Sequence, residues 1–214
     1  MSKERVKRPQ TVGEEIANTI SHGLGALLAL AGAVPLVTKA ALTGSALRTA
    51  SLTAYGVSLV LLYTASAVYH GVRDPRVKRV LRIMDHCSIF VLILGTYIPM
   101  SLLVVGGRTG WLLFLTNTTL AVIGITLNAI DLKRFDKVSM ALYALMGWLI
   151  VVALRAIIQA LPPLGLALLV GGGLAYTVGI LFYKSQRGYM HFVWHLFVLA
   201  GSVLQYVCIA LYCV

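Results

Sequence analysis

The sequence predicts an all-α polytopic membrane protein with seven transmembrane helices. Three observations carry this reading. Hydrophobic residues make up 59% of the 214 positions, charged residues only 12%, and mean hydropathy is +0.88; a soluble domain of this length needs more charge. Apolar runs of the roughly 20 residues that a spanning helix requires recur seven times along the chain. The segments between those runs are short and hold most of the ionic side chains.

Reading the chain with that window places spans at 22–41, 51–70, 84–105, 111–130, 138–158, 163–183 and 191–213. Residues 1–21, "MSKERVKRPQTVGEEIANTIS", are polar and basic and are expected to form a cytoplasmic N-terminal segment. Residues 22–214 are expected to form the seven-helix domain. No A-x-A cleavage pattern follows the first run, so span one is expected to be retained rather than removed as a signal peptide. Pro99 falls inside span three and should kink it, because it removes a backbone donor and crowds the preceding turn. Asn117, Asn128 and Gln205 lie within spans and are expected to hydrogen-bond between helices. Pro162 and Pro163 open span six, where a missing N–H costs little. Span six also carries small residues at every fourth position, Ala167, Gly171, Ala175 and Gly179, a stripe that lets another helix approach closely. Short connections make consecutive helices antiparallel neighbours.

The net charge of +11 raises nucleic acid as a partner, but its distribution argues against it, since no basic patch is interleaved with aromatics on a soluble surface. Of the 18 Lys and Arg residues, all but Lys39, Arg48, Arg108 and Arg155 fall on one side of the predicted membrane. Positive charge stays cytoplasmic. The N-terminus is therefore expected inside and the C-terminus outside, with the basic residues facing anionic headgroups. Membrane lipids, rather than nucleic acid, are the expected partners, and the chain is expected in a bacterial plasma membrane. Cys87, Cys208 and Cys213 are odd in number and lack metal-motif spacing, so packing is their expected role.

Polar groups inside the spans then concentrate at one depth. All five histidines, His22, His70, His86, His191 and His195, map to the cytoplasmic ends of spans. His191 and His195 share a helical face at i, i+4 in "HFVWHLFVLAG". His70 closes span two in "SAVYH", with Ser66 one turn earlier, and Asp85 opens span three in "RIMDHCSIF". An unpaired ionisable group in hydrocarbon costs at least about 2.5 kcal/mol, so these groups should turn inward. Three neutral imidazoles suit zinc with an open fourth position. The expected ligands are His70, His191 and His195. Asp85 is expected to accept a proton from water, and Ser66 to polarise a carbonyl or hold the water. His86, about 100° round the helix from Asp85, is left out of the site. His22 is expected to be an N-terminal anchor or to support a ligand from outside the coordination sphere, the anchor being favoured.

The set "EEIANTISHG", "SAVYH", "RIMDHCSIFVLILGTYIPM" and "HFVWHLFVLAG" resembles the bacterial hemolysin III branch of the progestin and adipoQ receptor (PAQR) family over nearly the whole chain. That resemblance implies a seven-helix fold with its N-terminus inside. It also implies zinc on His70, His191 and His195, with Asp85 and Ser66 beside the metal. The receptor members have longer N-terminal regions than this chain. The resemblance reaches a wider group of membrane hydrolases that includes alkaline ceramidases. Three functions are therefore expected to compete: a zinc-dependent hydrolase of lipid amides or esters, a receptor-like or regulatory protein with structural zinc, and a pore-forming cytolysin. The last has little physical support, because no repeated polar stripe lines a channel.

Overall fold

The computed structural model describes residues 8–214. Among them are seven helices long and apolar enough to cross a membrane: α1 Val12–Leu42, α2 Ala46–Gly71, α3 Pro75–Val105, α4 Gly107–Asp131, α5 Asp136–Ala160, α6 Pro163–Tyr183 and α7 Met190–Tyr212. Large apolar side chains such as Leu27, Leu42, Ile130, Val152 and Leu181 point outward, as lipid in place of water permits. Each helix packs on its neighbour in sequence, and α7 returns to pack on α1.

α1 begins ten residues before its apolar run. Thr11 is its N-cap, and Glu14 completes a capping box with it, satisfying backbone donors that a helix start leaves free. Its first three turns bury a polar face: Glu14, Asn18, Ser21 and His22 are each at most 6% exposed. These four follow helical spacing, so the start of α1 is amphipathic with its polar side inward.

That start is strapped to the entry of α7. Arg8 pairs with Glu14 and also donates from Nε to the Gln186 carbonyl at 3.0 Å. Glu14 Oε1 accepts the Tyr189 N–H at 2.7 Å. Tyr189 holds a left-handed backbone, φ 60°, a conformation a non-glycine residue keeps only when its surroundings enforce it. Glu14→Ala is expected to destabilise the protein by about 1–3 kcal/mol, because it orphans the Tyr189 donor. Glu14→Gln keeps an acceptor and should cost less. Thermal unfolding in detergent checks the order, and equal losses would contradict it.

Two helices depart from regular α geometry. Beyond Pro99, residues Met100–Val105 of α3 wind as a π-helix, so the expected kink is realised as a widened final turn. A single residue, Gly106, then joins α3 to α4; its φ of 62° and the 53° of Gly107 need glycine. In α5, Leu149–Ala153 tightens to 3-10 geometry. Tyr97 supports that break twice: its hydroxyl donates to the Gly147 carbonyl at 3.0 Å and accepts from the Ile150 N–H at 2.7 Å. Asn117 donates to the Met146 carbonyl at 3.3 Å. Freed backbone groups at membrane depth thus find partners on neighbouring helices. Asn128 bonds Ser139 and Tyr143 on α5, and Gln205 donates to the Leu169 carbonyl of α6.

The close contact between α6 and α7 runs along Gly165, Gly172 and Gly179; of the expected four-residue stripe only Gly179 lies on that line, and Ala167 is exposed. Seven residues make nearly two whole turns and keep one line along the axis, whereas steps of four drift around it. A Cβ on these glycines would meet Tyr212, Gln205 and Trp194 at 2.9, 2.5 and 2.7 Å.

Candidate metal centre

The fold brings His70, His191 and His195 together. One ring nitrogen from each lies within 4.8 Å of the other two. The ring centroids are 5.1 Å apart for His70–His191 and His70–His195, and 4.8 Å for His191–His195. His70 and His195 are 3% and 1% exposed. Among the described residues this is the one group of three or more His, Cys, Asp or Glu side chains placed to hold a metal ion. α2 and α7 supply the three imidazoles, and α1 packs against both helices.

Hydrogen bonds fix which nitrogens are available. Glu15 Oε2 lies 2.6 Å from His70 Nδ1, and a carboxylate only accepts, so Nδ1 carries the proton. His70 Nε2 is left buried without a hydrogen-bond partner. Ser21 donates its hydroxyl proton to the Asn18 carbonyl at 2.9 Å and sits 3.1 Å from His195 Nδ1. Toward His195 it must therefore accept, which again places the imidazole proton on Nδ1. In the neutral rings Nε2 is then the nitrogen with the lone pair. A tetrahedral zinc with Zn–N of ~2.0–2.1 Å sets its ligand nitrogens about 3.3 Å apart, within reach of side-chain rotation from this arrangement. An orphaned buried ring nitrogen and imidazoles held from behind at Nδ1 fit zinc.

The other expected site residues are placed as follows. Ser66 is buried, 2% exposed, one turn before His70 on α2. Asp85 is partly buried and does not join the three-histidine group. Its Oδ2 lies 3.5 Å from His86 Nδ1; that nitrogen also lies 2.9 Å from the Arg82 carbonyl, to which it donates. His22 is not an interfacial anchor: it is 3% exposed and its ring stacks on His195 at 3.5 Å. It also meets Tyr63 edge-on at 5.1 Å.

Beside the centre lies an apolar cavity of about 270 Å³ between α3, α5, α6 and α7. His86, Tyr97, Tyr143, Tyr183, Trp194 and Gln205 are among its walls, but the three clustered histidines are not. Tyr183 marks the boundary, since it lines the cavity and its ring is 5.9 Å from that of His191.

Sequence reasoning missed Glu15, Ser21 and the inward role of His22. The signal was present as polar residues at helical spacing from 14 to 22, but a search for apolar length discards such a segment.

Residues 10–206 match the model of the family described as Haemolysin-III related. The chain is similar to "Hemolysin-3" of Bacillus cereus, 39% identical over 213 residues, covering 99% of this chain and 97% of that protein. It is 40% identical over 205 residues to the "Hemolysin-3 homolog" of Bacillus subtilis (strain 168), covering 95% and 96%. A more distant likeness, 27% over 165 residues, reaches the "Monocyte to macrophage differentiation factor" of Homo sapiens, covering 71% and 66%. No solved structure matches. Seven apolar helices and these relatives make the chain an integral protein of a bacterial membrane, and it belongs to the Haemolysin-III related family.

Proposed function

We propose that the protein is a zinc-dependent hydrolase that cleaves an amide or ester bond of a lipid inside the membrane. The supporting observation is the meeting of three inward imidazoles, two of them held as Nδ1–H tautomers, beside an apolar cavity. Zinc on His70, His191 and His195 would supply Lewis acidity toward a carbonyl and activate water near neutral pH. The protein's own groups supply the remainder. Asp85 accepts the proton from water and returns it to the leaving group. Ser66 holds the carbonyl or the water from one turn before His70. The cavity takes the apolar tail, so a membrane lipid or fatty acid is the partner. With the N-terminus cytoplasmic, as the distribution of Lys and Arg indicates, the lipid enters from the inner leaflet.

One observation favours a receptor-like or regulatory protein in which zinc only ties α2 to α7. The clustered histidines do not line the cavity, and Asp85 stands outside their group. Turnover separates the two readings. Purified protein in nanodiscs is given ceramide-type amides and phospholipid esters, and released fatty acid is measured by mass spectrometry. The hydrolase reading expects release by the parent and its loss in His191→Ala. Equal release by both would remove it, and zinc retained without any release would leave the structural role.

A further inference from the structure

We infer that Glu15 is a positioning residue for the metal centre: its carboxylate fixes His70 with Nε2 toward the ion, although α1 itself contributes no ligand. The inference rests on the zinc reading above and goes beyond its ligand set.

The geometry is specific. Glu15 Oε2 accepts a hydrogen bond from the His70 Nδ1–H at 2.6 Å, the separation of a charge-assisted bond. The His70 side chain is 1% exposed, and that of Glu15 is 23%. The second oxygen, Oε1, accepts from Lys78 Nζ at 2.7 Å. Lys78 also donates to the Val72 carbonyl at 3.3 Å, at the C-terminal end of α2. The carboxylate is thus held between an imidazole of α2 and an ammonium of α3, and its rotamer is fixed from both sides.

Chemistry gives that placement a purpose. A carboxylate behind a ligating imidazole fixes the tautomer and ring orientation and makes the other nitrogen a better donor to the metal. His70 Nε2, buried and unpartnered, is the atom so prepared. Ser21 serves His195 in the same way from six residues further along α1, but as a neutral acceptor it polarises the ring less. α1 is therefore the orienting helix, while α2 and α7 carry the ligands.

The test measures zinc affinity of the purified full chain in detergent by competition with a chromogenic chelator. It uses the parent, Glu15→Ala, Glu15→Gln, Ser21→Ala and Lys78→Ala, and it records melting of each metal-free protein. Glu15→Ala is expected to weaken zinc about 10–100-fold. Glu15→Gln, whose amide oxygen still accepts from Nδ1, should recover part of that loss. Ser21→Ala should lose less than Glu15→Ala. Lys78→Ala should lose less than Glu15→Ala, because the contact to His70 survives while one of the two holds on the carboxylate is gone. Each metal-free variant should still melt in one cooperative transition, so that zinc affinities are compared between folded proteins. Parent-like affinity in Glu15→Ala would overturn the inference and leave the zinc reading intact. So would a loss in Lys78→Ala as large as in Glu15→Ala, since that would trace the effect to the tie between helices. A parent that takes up no zinc would overturn the zinc reading itself.

Discussion

His195→Ala is expected to abolish stoichiometric zinc binding, whereas His22→Ala, which removes the ring stacked on it, is expected to retain the metal. The two imidazoles are neighbours at 3.5 Å and both are buried, so a loss that came only from disturbed packing would strike both variants. Their chemistry differs. His195 belongs to the group whose nitrogens lie within 4.8 Å of one another, and His22 does not. Removing one of three protein ligands leaves two imidazoles, short of the three that open zinc sites use. Elemental analysis of the two purified variants decides. Equal zinc in both, or metal lost only from His22→Ala, would contradict the ligand assignment.

Gly110→Ala is expected to be among the most destabilising conservative changes in the protein. A Cβ at Gly110 would fall 2.1 Å from the Ser101 carbonyl oxygen. That oxygen belongs to the π-wound end of α3 and already accepts the Gly106 N–H at 2.9 Å. It is backbone, so no rotamer change relieves the clash, and the α3–α4 junction must separate. Overpacking of this kind costs about 1–3 kcal/mol and occasionally more. Gly171→Ala is the control, because its Cβ would meet only Leu204 Cδ1, at an ordinary 3.5 Å. Thermal unfolding followed by size-exclusion chromatography should show Gly110→Ala melting well below the parent and Gly171→Ala close to it. A Gly110→Ala protein as stable as Gly171→Ala would contradict the packing account.

The seven helices were legible because hydrocarbon imposes a length of apolar sequence that few other structures need. Their ends were less so. α3 begins at Pro75, behind the Asp74 cap, and not at 84, since its first turns are the basic ones that extend past the apolar run. α1 was truncated for the opposite reason: its polar residues face inward, where hydropathy averaging reads them as loop. Connection parity placed His70, His191 and His195 at one level, but it carried no information about which faces meet. The structure supplied that meeting, and with it Glu15 and Ser21, whose roles depend on distances that spacing does not encode. Asp85 shows the limit from the other side. Its depth is readable, yet the structure sets its carboxylate beside His86 and outside the histidine group.

The proposed function stands on a zinc site formed by His70, His191 and His195. The most direct measurement is the zinc content of the unmodified protein, purified without chelator and then stripped and titrated with zinc. About one zinc per chain is expected, lost on stripping and restored at saturation. A chain that is purified without zinc and takes up none on titration would contradict it.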